Sequence, residues 1–87
     1  MPKIEKEVMI GNPQGLHARP AALFVQLASK FDSMITVRRG AERVSGKSIM
    51  GILMLAAGKN AKVTIEADGE DAQQAVDELE RFLIQNE

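Results

Sequence analysis

The stretch that decides the fold is "NPQGLHARPAALF", residues 12–24, because the chain changes there from the pattern of a strand to that of a helix. Upstream, residues 4–10 alternate, with Val8 and Ile10 on one face and mostly charged residues on the other. This alternation predicts a half-buried strand. The "GNPQG" that follows contains two glycines and a proline, a composition typical of a loop.

A helix is predicted to begin at about residue 18, where the apolar residues take up a period near 3.6. Pro20 would then lie in the first turn, where its missing N–H costs nothing. "DS" at residues 32–33 is expected to end the helix. The residues expected on its apolar face are Leu23, Phe24, Leu27, Ala28 and Phe31.

Three further strands are predicted from alternation in the rest of the chain. Ile35 and Val37 alternate with polar residues, Gly40 marks a tight turn, and "ERVS" at 42–45 is a short strand. "AKVTIEA", residues 61–67, alternates again and predicts a fourth strand. Its inward residues are expected to be Val63, Ile65 and Ala67.

A second helix is predicted over about residues 48–57. Ser48 can cap its N-terminus, and Gly58 would lie just past its end. The segment "SIMGILML" is apolar nearly all round, with Ile52 and Leu55 expected to face the sheet. A two-layer domain of 87 residues has no second layer to cover the rest, so we expect an exposed apolar patch on this helix.

The last segment gives the clearest amphipathic helix. Asp71 with Gln74 would form a capping box, and Asp68 is a rival cap. The element order is βαββαβα, which predicts an α+β two-layer sandwich with three helices on one face of a four-stranded, mostly antiparallel sheet. We expect a single domain over residues 1–87. The apolar stripe of the last helix comprises Ala72, Ala75, Val76, Leu79, Phe82 and Leu83.

Composition excludes several classes of function. No cysteine and a single histidine rule out disulfides, thiol catalysis, a catalytic triad and a Cys/His metal cluster. A net charge of −1 and only three aromatic side chains disfavour a nucleic-acid surface. The N-terminus is charged, and no apolar run approaches the ~18 residues of a membrane span. We therefore expect a cytoplasmic protein without membrane insertion, metal or cofactor.

The single histidine, His17, is the strongest candidate for chemistry. The loop before it and Pro20 after it place it at or just before a helix N-terminus, where free backbone N–H groups bind anions. Arg19 follows two residues later, and its guanidinium matches phosphate geometry. This combination suits the carriage of a phosphoryl group on nitrogen. The plain alternative is a surface histidine and a solvated arginine without a special role.

These residues resemble a known signature. "GLHARPA" at 15–21 is similar to the active-site sequence of the histidine-containing phosphocarrier (HPr) family of the phosphoenolpyruvate-dependent phosphotransferase system. "KSIMGILML" at 47–55 resembles the regulatory-serine region of that family, and the spacing from His17 to Ser48 agrees. Length and element order match as well, so the resemblance covers the whole chain. It implies a split-βαβ, open-faced sandwich with strand order 1-4-2-3.

The resemblance also implies a function, that of a phosphoryl-transfer intermediate with no turnover of its own. His17 would accept a phosphoryl group on Nδ1 from phospho-enzyme I, forming a pros-phosphohistidine. It would pass the group to enzyme II A components for sugar uptake. Arg19, together with the backbone of Ala18 and Arg19, would stabilise the phosphate. We expect a monomer.

Ser48 has two expected roles. "SGKS" at 45–48 is not a P-loop, because the first glycine of that motif would fall at Ala41. The serine is expected at least to cap the second helix. The resemblance adds that an HPr kinase/phosphorylase phosphorylates this serine in some bacteria. A transcriptional regulator would bind the serine-phosphorylated form.

The exposed patch expected on the second helix is a candidate docking surface. Two methionines there would let one surface fit several partners. The resemblance implies that partners dock over the first two helices around His17. The residues expected to form this surface, beside Ala18 and Arg19, are Ala22, Ile49, Met50, Leu53 and Met54.

Two other interpretations stay open. One is a regulatory paralogue, such as a nitrogen-branch carrier or a signalling protein. The other is an α+β interaction module in which the histidine is incidental. Phosphorylation of His17 from phosphoenolpyruvate would distinguish the sugar phosphocarrier and the regulatory paralogue from the interaction module. Neighbouring genes for sugar permeases would indicate the sugar phosphocarrier, and neighbouring genes for regulators would indicate the regulatory paralogue.

Overall fold

The computed structural model describes residues 3–11, 13, 15–55 and 57–85. The order of elements is βαββαβα, as the sequence predicts. The elements are β1 (Lys3–Met9), α1 (Ala18–Ala28), β2 (Met34–Arg39), β3 (Glu42–Ser45), α2 (Ile49–Met54), β4 (Lys62–Asp68) and α3 (Ala72–Ile84).

The strands form one antiparallel sheet in the order β1-β4-β2-β3. This is the order that the family resemblance implies. Alternation sets the register, because a slip by one residue would turn each apolar side chain to the other face. Thus Val8 of β1 lies opposite Val63 of β4, and Val37 of β2 lies opposite Ile65.

The three helices cover one face of the sheet and enclose the core. Val63, Ile65 and Ala67 are buried beneath them, as predicted for β4. Leu16 belongs to this core, so the residue directly before His17 is anchored. The largest fully buried side chains are Phe24, Ile10, Leu16, Ile35, Ile52, Leu55, Ile65, Leu79, Leu83, Val37, Val63 and Val76.

The opposite face of the sheet carries the alternate residues of each strand. Glu66 lies there, between the buried Ile65 and Ala67. Its carboxylate pairs with Arg38 of β2 and, at 2.9 Å, with Arg43 of β3. Two guanidinium groups therefore compensate one buried charge, which would be costly if it were left unpaired.

The apolar face predicted for α1 is partly wrong. Leu23 was expected on the apolar face with Phe24, yet it is 44% exposed. The helix instead buries Pro20 and Ala21 in its first turn, which rotates the contact face away from Leu23. Phe31 is buried, but it lies beyond the end of the helix at Ala28. Small residues are weak signals in a pattern of large apolar side chains, and this explains the error.

The second helix is shorter than the predicted 48–57, since α2 ends at Met54. The residues that follow it make long-range contacts through their backbone carbonyls. Leu55 O accepts a hydrogen bond from Arg39 Nη1 at 2.9 Å, and Ala57 O accepts one from Leu16 N at 2.8 Å. These two hydrogen bonds join the segment after α2 to β2 and to the loop before His17.

The predicted capping box of α3 is also wrong, although Asp71 does occupy the N-cap position. Its side chain makes no capping bond. Instead Oδ1 accepts from the hydroxyl and N–H of Ser33, and Oδ2 accepts from Asp32 N at 2.8 Å. Gln74 donates to Glu78 at 3.2 Å. The Ser33 hydroxyl, followed by the Asp32 N–H, lowers the pKa of the Asp71 carboxyl below its ordinary value of 3.8.

Candidate functional site

His17 is the N-cap residue of α1, which confirms its predicted position. Its backbone is extended, with φ −87° and ψ −166°, and its carbonyl accepts the first helical hydrogen bond from Ala21 N at 2.7 Å. Its imidazole makes no capping bond and is exposed. The ring therefore stands at the positive end of the helix without being used to hold the helix together.

The loop before His17 is held in place by the segment that follows α2. Gly15 has a φ of +65°, and a Cβ there would lie 2.6 Å from Gly58 Cα and 2.7 Å from Ala57 O. Only glycine fits both the conformation and the close approach. Leu16 N then donates to Ala57 O at 2.8 Å, and the Leu16 side chain is buried. These contacts fix the chain direction just before the histidine.

Two backbone donors at the start of α1 are available to an anion. The first N–H groups of an α-helix have no intrahelical partner, and here they belong to Ala18 and Arg19. Pro20, the third residue, has no N–H. No acidic side chain lies in the first turn. An oxyanion beside His17 would meet two donors and no local carboxylate from this helix.

Arg19 lies on the first turn of α1 with an exposed side chain, as does Ala18. The structure thus places the predicted cation within two residues of the imidazole. The Arg19 side chain is not packed into the core.

Ser48 is the N-cap of α2, and its predicted capping role is confirmed. Ser48 Oγ accepts from Gly51 N at 3.0 Å. A Cβ on Gly51 would lie 3.0 Å from Cβ of Val44, so glycine lets α2 approach β3 closely. Ser48 itself is half-buried.

The exposed apolar face of α2 is also confirmed. Ile52 and Leu55 are buried against the sheet, whereas the other four large apolar residues face outward. Because α1 and α2 contact each other, Leu23 and the half-buried Ala22 of α1 extend this surface toward His17. We call it the α1–α2 patch, comprising Ala22, Leu23, Ile49, Met50, Leu53 and Met54.

Three positioning residues were not singled out from the sequence. Gly15 and Leu16 orient the loop, and Arg39 holds the end of α2. Gly15 and Leu16 belong to "GLHARPA", so the motif includes them but does not indicate their positioning role. Arg39 gave no signal, because its partner is 16 residues away.

A family model described as the PTS HPr component phosphorylation site matches residues 4–85. The chain belongs to the HPr family. Phosphocarrier protein HPr from Cupriavidus necator is 46% identical over 76 residues, covering 87% of this chain and 85% of that protein.

Solved structures of the HPr family agree with the fold. The crystal structure of HPr from Bacillus anthracis str. Ames has a TM-score of 0.91 at 41% identity, covering 93% of this chain and 96% of that one. The crystal structure of Crh from Bacillus subtilis, described as a catabolite repression protein and a domain-swapped dimer, has a TM-score of 0.75 at 40% identity, with 92% of each chain covered.

Membership in the HPr family assigns the chain a general role. It is a phosphocarrier of the phosphotransferase system, which serves sugar transport. Within the described residues, no helix is both long enough and apolar enough to cross a membrane.

Proposed function

We propose that His17 takes a phosphoryl group from phospho-enzyme I on Nδ1 and delivers it to enzyme II A components for sugar uptake. The observation that supports this assignment is an exposed imidazole at the N-cap of α1, next to the unpaired N–H groups of Ala18 and Arg19. It is the only histidine in the chain.

Each transfer forms one bond and breaks one. The Nδ1 lone pair forms the new N–P bond while the bond between phosphorus and the donor protein breaks. Delivery reverses the roles, since the N–P bond of His17 breaks as the acceptor protein bonds to phosphorus. The chain returns to its starting state only by passing the group on, so it carries the phosphoryl group without turnover of its own.

The groups around the His17 ring can stabilise the negative charge of a phosphate. Phosphoryl transfer depends mainly on positioning and electrostatic stabilisation. The N–H groups of Ala18 and Arg19 point toward the N-cap and lie in the positive field of the helix. The Arg19 guanidinium can add charge-assisted hydrogen bonds to the phosphate oxygens. No cofactor or metal is required for this step.

The α1–α2 patch is the surface on which we propose that enzyme I and the enzyme II A components dock. It lies on the two helices next to His17, which a partner must cover to reach the ring. Its exposed apolar side chains lose contact with water on docking, which favours association. The flexible Met50 and Met54 allow it to fit more than one partner.

We propose Ser48 as a regulatory phosphorylation site for an HPr kinase/phosphorylase. The site lies at the edge of the α1–α2 patch, directly before Ile49 and Met50. A phosphate there adds roughly −1.5 to −2 charges to an apolar docking surface, so it should disfavour enzyme I. The serine-phosphorylated form would instead be the ligand of a transcriptional regulator.

The proposal also includes the oligomeric state and the cellular compartment of the protein. A carrier that must expose His17 to successive partners works as a cytoplasmic monomer. The likeness to dimeric Crh favours a second candidate function, in which the chain is a regulatory member of the family. The two candidates differ in whether the phosphoryl group reaches enzyme II A components.

Reconstitution tests the proposal. A bacterial extract that lacks HPr but contains enzyme I and sugar-specific enzyme II components receives phosphoenolpyruvate, labelled sugar and either wild-type protein or a variant. We expect wild type and Ser48→Ala to restore sugar phosphorylation and His17→Ala to fail. If His17 gains phosphate but no sugar phosphate forms with any enzyme II, the regulatory function replaces the transport function. Sugar phosphorylation with His17→Ala would overturn the proposed acceptor.

A further inference from the structure

All four methionines in the described part of the chain are exposed. Met50 and Met54 are each 68% exposed, Met34 is 72% exposed and Met9 is 50% exposed. Methionine is usually among the buried residues, where its flexible side chain fills gaps in a core. Here it fills none of the described core, so packing does not explain these four side chains.

The four side chains lie on opposite sides of the molecule. Met50 and Met54 are four residues apart on α2 and therefore share one helix face, within the α1–α2 patch. Met9 and Met34 alternate with the buried Val8 and Ile35, so they lie on the sheet face away from the helices. The second pair is thus an internal control for the first.

Sulfur chemistry in this chain is confined to thioethers, because there is no cysteine, and there is also no Trp or Tyr to compete for an oxidant. Exposure makes a methionine accessible to oxidation, and methionine sulfoxide reductases reverse the product. The pair on α2 is therefore both accessible and repairable.

We propose that Met50 and Met54 form a reversible oxidation site, at which peroxide converts an apolar docking surface into a polar one and slows phosphoryl transfer to His17. This inference rests on the proposed function, since it requires partners to dock on the α1–α2 patch. It adds a class of regulation that is independent of Ser48.

The oxidation step is balanced with hydrogen peroxide as the oxidant. The thioether sulfur attacks one peroxide oxygen, an S–O bond forms and the O–O bond breaks. Two electrons pass from sulfur to peroxide, giving the sulfoxide and one molecule of water. A reductase returns the thioether with two electrons from a pair of thiols, which become a disulfide, and the oxygen leaves as water.

The fold should tolerate these sulfoxides. Helix α2 is held through Ile52 and Leu55, the Ser48 cap and the Arg39 bond to Leu55 O, none of which involves a methionine. A docked partner, by contrast, would bury the sulfoxide oxygen against apolar surface. A polar group buried without a hydrogen-bond partner weakens binding by about tenfold or more.

The test uses three proteins, namely wild type, M50L/M54L and M9L/M34L. Leucine keeps the apolar character and approximate volume of methionine but cannot be oxidised. Each protein is treated with hydrogen peroxide, freed of it, and analysed by mass spectrometry to count and locate the added oxygens. Thermal unfolding and the initial rate of phosphorylation at limiting enzyme I are then measured.

We expect oxidation to lower the rate about tenfold in wild type and M9L/M34L, and methionine sulfoxide reductase to restore it. Each rate is compared with that of the same protein before treatment, and on this measure M50L/M54L should not change, nor should any unfolding midpoint. An unchanged wild-type rate with both sulfoxides present, an equal loss in M50L/M54L, or a lower midpoint in oxidised wild type would overturn the site. Failure of untreated wild type to gain phosphate would instead overturn the proposed function.

Discussion

Helices α1 and α2 begin with the same backbone conformation but differ in what the N-cap side chain does. Each starts from an N-cap residue with an extended backbone, His17 in one and Ser48 in the other. Ser48 uses its side chain to accept a hydrogen bond from Gly51 N, whereas His17 makes no capping bond. We call the start of α2 closed, because the Ser48 hydroxyl caps it. We call the start of α1 open, because the His17 side chain does not cap it.

The difference agrees with the phosphate site that we propose at His17. A capping side chain would occupy the donors that an incoming phosphate needs. Helix α1 therefore begins without that stabilisation and is held by burial of Pro20, Ala21 and Phe24 instead. At α2 the hydroxyl that caps the helix is also the proposed target of a kinase, so one group would combine a structural and a regulatory role.

Replacing His17 at the start of α1 should give the largest effect. His17→Ala should abolish phosphoryl acceptance from enzyme I without unfolding the protein, because the exposed ring contributes little packing. His17→Ser should also abolish it, and by adding a cap it should raise the free energy of unfolding by up to about 1 kcal/mol. Acid-labile phosphate incorporation and denaturant unfolding measure the two effects. A His17→Ala protein that still gains such a phosphate would refute the role of His17.

Removing the arginine at the open start should have the next largest effect. Arg19→Ala should slow transfer roughly tenfold to a hundredfold, since a hydrogen bond to a charged group is worth about 1.5–3 kcal/mol. Arg81→Ala, which removes an exposed arginine from the last turn of α3, is the control for net charge. Rapid-quench rates at saturating enzyme I make the comparison. Equal rates for the two variants would leave Arg19 as a solvated charge.

Adding charge to the closed start should have a smaller effect. Ser48→Asp keeps an oxygen acceptor for Gly51 N and should lower the rate of phosphorylation by enzyme I by roughly threefold to tenfold, through weaker docking. Ser48→Ala removes the cap without adding charge, so it should cost about 1 kcal/mol of stability and leave the rate unchanged. Initial rates over a range of enzyme I concentrations separate the two variants. If the Asp variant gives the wild-type curve, Ser48 is a cap alone.

The N-terminus of α3 extends the comparison, because the stability that its N-cap residue contributes should depend on pH. Asp71 begins α3, but its carboxylate holds Asp32 and Ser33, which lowers its pKa in the folded protein. It should therefore stabilise the fold above its ordinary pKa of 3.8, and this contribution should disappear as pH falls below that value. Asp71→Asn should lower the unfolding midpoint at neutral pH, and the difference from wild type should shrink in acid. A difference that is constant with pH would contradict the assignment.

The sequence was sufficient where the signal is local. Alternation predicts each strand to within about a residue or two, and the Ser48 cap and His17 N-cap follow from residues a few positions away. The α1–α2 patch was largely predictable as well, because a small two-layer fold cannot bury a helix that is apolar all round.

Features that depend on distant residues were not predictable. Asp71 and Ser33 are 38 residues apart, and so nothing near Asp71 shows that its carboxylate is already used. The hydrogen bonds from Arg39 and Leu16 to the segment after α2 likewise join residues that are distant in the sequence. Leu23 was placed on the apolar face because Pro20 and Ala21, which rotate α1, give little signal in a hydrophobic pattern.

Locating the phosphate tests the central claim most directly. Wild-type protein is incubated with phosphoenolpyruvate and a catalytic amount of enzyme I, and its intact mass and peptide masses are measured at neutral pH and after brief acid treatment. The open start of α1 predicts one phosphoryl group per chain, located on the peptide that contains His17 and lost in acid, as expected for an N–P bond. A phosphate that survives acid or maps to Ser48 would contradict the claim, and so would the absence of any phosphate.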